Sequence, residues 1–251
     1  MNGSQREFLE RLLGTSTPSG FETAGQRAWV EYVSGFADTV ETDAYGNAVA
    51  VVEGGEQTVA LAGHGDEIGF MVRDIDDNGF LHLARIGGSD RTVSKGQHVT
   101  VHADEPVAGV IGQTAIHLRD GGEEYEEIDA QFVDIGVEDA DAARERVEIG
   151  DPVTFSSTTA GLAGDRLTAR GMDNRVGTWT AAEVLRRAAE RDADATVYAV
   201  ATVQEELGLK GARMVGYDLN PDAVVAVDVT HATDNPDVSG TASGPVALGD
   251  G

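Results

Sequence analysis

A block of short β signals that interrupts an alternation of helices and strands most restricts the possible folds of this sequence. From about residue 68 to residue 155, short alternating apolar runs are separated by turn-forming residues. Before this block, the spacing of apolar residues predicts helices at 4–13 and after Gly20, and strands at 39–42, 48–52 and 59–62. After it, the spacing predicts helices at 173–191 and 209–215, and strands at 195–203 and 223–229. The pattern predicts a β domain inserted into a helix-and-strand fold.

The flanking parts are predicted to form an α/β core of three layers, in which helices cover both faces of a mainly parallel sheet. The apolar runs 59–62 and 223–229 lack polar alternation, which is typical of strands that are buried on both faces. The expected organisation is a first core segment at 1–68, an inserted small β barrel at 69–158 and a second core segment at 159–251.

The charge balance excludes some classes of partner. The chain has 44 acidic and 18 basic residues, for a formal net charge of -26. The resulting negative potential repels nucleic acids and anionic membranes, so we expect neither as a partner. Only two basic residues are lysines, and the acids are spread along the whole chain. This pattern favours a salt-adapted, halophilic protein, with an ordinary acidic cytosolic protein as the alternative.

The absence of cysteine restricts both the compartment and the metal chemistry. Without thiols the chain forms no disulfide and no thiolate metal site. Residues 1–10 are charged, and no run approaches the roughly 18 apolar residues of a membrane span. We therefore expect a cytoplasmic protein in which any metal ligands are His, Asp and Glu.

Four clusters of acidic residues or histidine lie at the ends of apolar runs or at helix starts, where open α/β sheets bind ligands. The first is Gly63-His64-Gly65-Asp66-Glu67. In an extended chain His64 and Asp66 project from the same face, so Asp66 is placed to fix the tautomer of a metal-bound His64. Alone, such a pair is more typical of a surface loop.

The other three clusters each supply one or two carboxylates. Asp173 begins a predicted helix, where capping is the alternative role. Glu205 and Glu206 follow a strand, and a cation or solvent must offset their repulsion. Asp228 ends the apolar run 223–229, where an unpaired buried carboxylate is costly.

Together, one histidine and several carboxylates form a ligand set suited to zinc, cobalt or manganese. Two ions that share a carboxylate would activate a water and polarise a carbonyl, while a free carboxylate moves the proton. The combination is far more specific than any one cluster, and it predicts a hydrolase.

Three segments resemble signature motifs of the M42 metallo-aminopeptidases, and they lie at 63–70, 171–177 and 204–212. The resemblance runs in the same order from Pro18 to Gly249 and so covers nearly the whole chain. It implies a zinc-exopeptidase-like core, an inserted barrel used for oligomerisation and hydrolysis of residues from peptide N-termini. It also implies a homo-oligomer, from a dimer up to a dodecamer.

The resemblance implies four metal ligands, which are His64, Asp173, Glu206 and Asp228. Asp173 would bridge two divalent ions, zinc, cobalt or manganese. Glu205 would be the general base, and Asp66 would support His64 from behind.

One departure from the family pattern concerns the C-terminal side. Family members supply a second-metal histidine from a strand beyond the segment that matches 244–249, whereas this sequence stops at Gly251. We therefore expect a truncated chain. His231 is expected to lie in a loop near the site.

Three other functions stay open. A related zinc carboxypeptidase or deacylase has a similar ligand layout, and a comparison of free-amine with N-acetylated peptides would distinguish it. A glycosidase needs two opposed carboxylates and no bridging metal, so chelator sensitivity would argue against it. A truncated chain that lacks one ligand would also suit a catalytically impaired subunit that acts in assembly.

The charge of -26 predicts that salt stabilises the fold. As ionic strength falls from molar to about 0.01 M, the Debye length grows to roughly 30 Å, and acidic residues then repel one another across the molecule. We expect the melting temperature to rise as KCl is added over this range. A melting temperature that stays flat would contradict salt adaptation.

Overall fold

The computed structural model describes residues 3–119, 126–236, 244 and 246–249. The remaining residues include both ends of the chain and part of the predicted inserted domain, and they lie outside this description. The α-helices are α1 (Gly3–Gly14), α2 (Thr23–Val33), α3 (Arg91–Ser94), α4 (Ala140–Arg144), α5 (Met172–Glu190) and α6 (Lys210–Asp218). In the described ranges, no helix has both the length and the apolar character that crossing a membrane requires.

The strands fall into a central sheet, a barrel and a small hairpin. The first strands along the chain are β1 (Thr39–Thr42), β2 (Ala48–Val52), β3 (Thr58–His64), β4 (Gly69–Ile75), β5 (Leu81–Ile86), β6 (His98–Val101) and β7 (Val107–Ile111). The others are β8 (Phe132–Asp134), β9 (Pro152–Phe155), β10 (Ala160–Leu162), β11 (Arg166–Thr168), β12 (Thr196–Thr202) and β13 (Ala223–Ala226).

The central sheet has the strand order β1-β2-β12-β3-β13. Strands β12, β3 and β13 are parallel, whereas β1 pairs antiparallel with β2 and β2 pairs antiparallel with β12. The expected mainly parallel sheet is therefore a mixed one. The short turn at 43–47 explains the antiparallel pairing of β1 with β2, because a tight turn joins only antiparallel strands.

Helices cover both faces of the sheet. The side chains of Ala48, Ala50 and Val52 on β2 join a core formed with α1, α2 and α5. Trp29 on α2 is 1% exposed, and its Nε1 donates to the backbone oxygen of Thr178 on α5 at 2.9 Å. Helix α6 lies against the other face, where its residues line a cleft with β1, β2 and β12. The predicted three-layer α/β core is confirmed.

Six strands close into a barrel in the order β4-β5-β8-β7-β6-β9. Fully buried side chains fill its interior, among them Phe70, Val72, Leu81, Leu83 and Val99. The hairpin that joins β4 to β5 turns at 76–79, where Gly79 has a φ of +83°. The small β barrel predicted from the short alternating runs is confirmed.

Strand β13 corrects one prediction, since it is not buried. All four of its residues are exposed, with Val224 at 63% and Val225 at 49%. Among the described residues β13 is the outermost strand of the sheet, beside β3, so its side chains have described strand neighbours on one side only. An apolar β-branched run predicts a strand but does not distinguish a central strand from an edge one.

Two glycines allow α5 to approach β3 closely. A Cβ atom on Gly63 would lie 2.5 Å from the backbone carbon of Gly177. A Cβ atom on Gly177 would lie 2.4 Å from Asn174 Oδ1. Neither position has room for a side chain. Because β3 ends at His64 and α5 begins beside Asp173, these glycines set the distance between two of the predicted ligands.

Candidate metal centre

His64 lies at the last position of β3 and is 3% exposed. Its Nε2 atom lies 3.1 Å from Asp173 Oδ1, 3.8 Å from Glu205 Oε2 and 4.0 Å from Asp228 Oδ1. These acids follow the C-terminal ends of the parallel strands or begin α5, as the ligand-binding edge of an open α/β sheet requires. Three carboxylates from distant parts of the chain thus converge on one nitrogen.

The donor atoms form two overlapping groups. The first is His64, Asp173 and Asp228, and the second is His64, Glu205 and Glu206; within each group the donor atoms lie within 4.8 Å of one another. Asp228 is exposed, not buried as predicted, because it follows the edge strand β13. All of the predicted ligands and the predicted base therefore lie close together.

Asp66 lies behind His64 and is completely buried. Its carboxylate accepts hydrogen bonds from Ser19 Oγ at 2.6 Å, Glu205 N at 3.0 Å and Glu206 N at 3.1 Å. His64 Nδ1 lies 3.3 Å from Asp66 Oδ1 in a close contact that is not a hydrogen bond. Burial raises the pKa of Asp66, but these donors and His64 outweigh it, so the pKa is lowered overall.

The carboxylates repel one another across the site. Burial acts to lower the pKa of His64, but Asp66 and the other carboxylates raise it to about 9. Burial and the charge of Asp173 raise the pKa of Glu206 to about 7. Burial also raises the pKa of Glu205. A site with this charge density favours cations, and imidazole and carboxylate donors together fit zinc, cobalt or manganese.

A rigid turn presents Glu205 and Glu206. Gln204 has a φ of +52°, in the left-handed region. Gly208 N donates to Glu205 O at 2.7 Å, and Gly211 N donates to Val203 O at 2.9 Å. These bonds connect β12 to α6 and fix the direction in which both carboxylates leave the backbone.

Asp173 begins α5 without capping it. Asp173 and Asn174 have non-helical backbone angles, and the side chain that accepts at the start of the regular helix is that of Asn174, whose Oδ1 accepts from Gly177 N at 2.9 Å. The alternative role of Asp173 as a helix cap is therefore not observed. Its carboxylate instead contacts His64.

A buried ion pair that sequence reasoning missed holds the start of α5 against the loop after His64. Glu67, 3% exposed, accepts from Arg175 Nη2 at 2.6 Å and from the backbone N of Thr17 at 2.9 Å. Arg170 also donates to Glu67. Glu67 and Arg175 both lie inside the motifs at 63–70 and 171–177, and this was the available signal.

One barrel loop borders the site. Gly87, which follows β5, has a φ of +62°, and a Cβ atom there would lie 3.0 Å from the Glu206 Cβ and 2.9 Å from the Ile68 Cγ2. The barrel therefore supplies part of the wall beside Glu206.

His231, which was expected in a loop near the site, is exposed and belongs to neither donor group among the described residues.

A family model matches most of the chain. The model for the M42 glutamyl aminopeptidases matches residues 46–251. A lysyl aminopeptidase of Pyrococcus furiosus is 32% identical over 233 residues, which are 90% of this chain and 66% of that protein.

Solved structures are similar in fold as well as in sequence. A TET aminopeptidase from a marine sediment archaeon of the Thaumarchaeota has a TM-score of 0.90 at 31% identity, over 94% of this chain and 68% of that one. The TET1 peptidase of Pyrococcus horikoshii, which assembles into a tetrahedron or a large octahedral shell, has a TM-score of 0.82 at 30% identity, over 89% and 68%. The chain thus spans about two thirds of the length of these proteins.

The Glu67–Arg175 pair predicts a large stability effect for a small substitution. Glu67→Gln leaves the buried Arg175 guanidinium without its counter-charge, so we expect a loss of about 3–5 kcal/mol in the free energy of unfolding. Urea unfolding followed by tryptophan fluorescence would measure it. The matched control is Glu10→Gln, in an exposed pair with Arg6, which should cost about 0.5 kcal/mol or less. Equal losses for the two variants would contradict a structural role of the buried pair.

Proposed function

Because the chain belongs to the M42 glutamyl aminopeptidase family, we propose that it removes residues from peptide N-termini with the help of two divalent ions. The observation that carries this proposal is the convergence of carboxylates from two strand ends and one helix start on the buried His64. Few structural roles would require so many like charges on one imidazole.

His64, Asp173 and Asp228 would hold one ion, and Asp173 would be shared with a second ion held by Glu206. The first donor group supports the first part of this assignment, because His64, Asp173 and Asp228 gather three ligand atoms, the number that a catalytic zinc site uses while one position stays open. Glu206 lies in the second group with His64 and Glu205, so the sharing of Asp173 rests on the resemblance to the family and on the charge that Asp173 exerts on Glu206. When bound, such ions polarise the scissile carbonyl and lower the pKa of a water molecule. The contact between Asp66 and His64 would fix the ring orientation.

Glu205 would act as the general base. Its carboxylate lies 3.8 Å from His64 Nε2, and burial raises its pKa, which brings its proton affinity closer to that needed near neutral pH. It would accept the proton from the attacking water and return it to the amine as the peptide C–N bond breaks. The hydrogen bond from Glu205 N to Asp66 keeps this carboxylate in place.

The pairing of two nearby arginines favours an aminopeptidase over a carboxypeptidase. Arg170 and Arg175, which lie on either side of Asp173 in the chain, are both paired with Glu67. They are therefore not available to bind a substrate carboxylate.

The barrel would serve assembly. We propose an inserted domain at 69–158 between core segments at 1–68 and 159–251, and a homo-oligomer in the range from a dimer to a dodecamer. The support is the closed barrel and the assembly of the related TET1 peptidase.

Two substitutions separate the base from a ligand. Glu205→Gln should lower turnover of leucyl- or glutamyl-anilide by about 10²–10⁴-fold, because an amide does not accept the proton, while bound metal stays unchanged. Asp173→Asn should lower both the bound metal and the turnover, since it removes a shared ligand. Steady-state kinetics with elemental analysis of the purified, metal-loaded chains would measure both effects.

The same assay tests the reaction class. Chelator treatment and N-acetylation of the anilide should each abolish hydrolysis by the unmodified chain. Loss of metal from the Glu205→Gln chain would refute the assignment of Glu205 as the base. Full hydrolysis of the acetylated substrate would refute the aminopeptidase proposal.

A further inference from the structure

The backbone N–H groups of three consecutive residues, 204–206, donate to two buried carboxylates. Gln204 N donates to Glu22 Oε1 at 3.1 Å. Glu205 N and Glu206 N donate to the two oxygens of Asp66, at 3.0 Å and 3.1 Å. Successive N–H groups that point into the protein at an anion form a firm anchor, because each bond to a carboxylate is charge-assisted.

Glu22 has little other reason to be buried. It precedes α2 but makes no cap hydrogen bond to that helix, and it is 6% exposed. Besides Gln204 N, it accepts from Gly20 N at 2.9 Å, and in the described part of the chain no cation pairs with it. Burial of a carboxylate without a counter-charge destabilises the fold, so we expect Glu22 to have a function that offsets this cost.

We propose that Glu22 is a positioning residue that holds the turn at 204–206 so that Glu205 and Glu206 face His64. This inference rests on the proposed function for its catalytic consequence. Gln204 is the residue at which the chain leaves β12 in a left-handed conformation. If its N–H is released, the backbone at Gln204 gains freedom, and on this side only the bonds from Glu205 N and Glu206 N to Asp66 still hold the two following carboxylates.

Glu22 is the acceptor for the backbone N–H of Gln204, while the backbone oxygen of Gln204 accepts from Lys210 N at 3.1 Å. On the outer side, Tyr45 Oη donates to Gln204 Oε1 at 3.0 Å, but this side-chain contact is exposed. A cavity of about 460 Å³ adjoins it and is lined by Glu22, Gln26, Tyr45 and Gln204, among others. Removal of the Glu22 side chain would open this cavity to the Gln204 N–H, and water would replace a fixed acceptor with a mobile one.

Three variants test the proposal in the full chain. Glu22→Ala removes the acceptor, whereas Glu22→Gln keeps an acceptor oxygen at the same reach. Glu183→Ala is the matched control, because Glu183 is also a buried carboxylate, 3% exposed, but it bonds Tyr32 and Arg186 away from the site. The measurements are amide hydrogen exchange at 204–206 without added metal, cobalt titration with the visible spectrum, and kcat and KM of the cobalt-loaded chain.

We expect Glu22→Ala to speed exchange at 204–206 by at least about tenfold, since the protecting bond at Gln204 is lost. It should lower kcat by about 10²-fold, the loss expected when a reacting group is misplaced by about 1 Å, with KM nearly unchanged. The cobalt spectrum should shift because Glu206 moves. Glu22→Gln should restore exchange, spectrum and kcat to near the unsubstituted values, and Glu183→Ala should lower only the melting temperature.

Two results would overturn the proposal. One is unchanged exchange at 204–206 in Glu22→Ala. The other is a Glu22→Ala chain that matches Glu183→Ala, with a lower melting temperature but an unchanged spectrum and kcat. An unsubstituted chain that binds no cobalt and hydrolyses no anilide would refute the proposed function instead, and the exchange result would still decide whether Glu22 holds the turn.

Discussion

The buried carboxylate of Asp66 is the interaction on which the site depends. It accepts hydrogen bonds from Ser19 before α2 and from the backbone of Glu205 and Glu206 after β12, and it contacts His64 at the end of β3. Three segments that are far apart in sequence therefore meet at one anion. Because a buried carboxylate is tolerated only when it is fully hydrogen-bonded, these segments share a single geometry.

The neighbouring carboxylate of Glu67 begins a chain of hydrogen bonds that connects the site to the barrel. Arg170, which is bound to Glu67, also donates through Nη2 to Ser16 Oγ at 2.8 Å. Ser16 Oγ lies 3.2 Å from Thr154 Oγ1 on β9, and His102 Nε2 lies 2.8 Å from the same Thr154 atom. Polar networks of this kind add specificity of orientation more than stability. Strand β9 of the barrel is thus linked to contacts that begin beside His64.

Much of the fold and of the candidate site was predictable from the sequence. The motifs around His64, Asp173 and Glu205 indicated the M42 family, which the family match confirms, and periodicity placed most helices and strands correctly. The burial that the apolar run predicted for β13 and Asp228 was wrong, because edge and central strands share the same apolar pattern. The role that we propose for Glu22 was not predictable. It depends on a hydrogen bond from the backbone N–H of Gln204, and every residue except proline has such an N–H, so the sequence does not reveal the bond.

Hydrogen bonding divides the acids of the site into two classes that composition does not distinguish. Glu22, Asp66 and Glu67 are buried, and each accepts at least two bonds from the protein. The carboxylates of Asp173, Glu205, Glu206 and Asp228 are more exposed, and within the described residues they accept at most one hydrogen bond each. Their lone pairs stay available for cations, whereas those of the first class are already used. Structural acids can therefore be separated from the proposed metal ligands and base by unused acceptor capacity, which depends on the folded backbone and not on the motif.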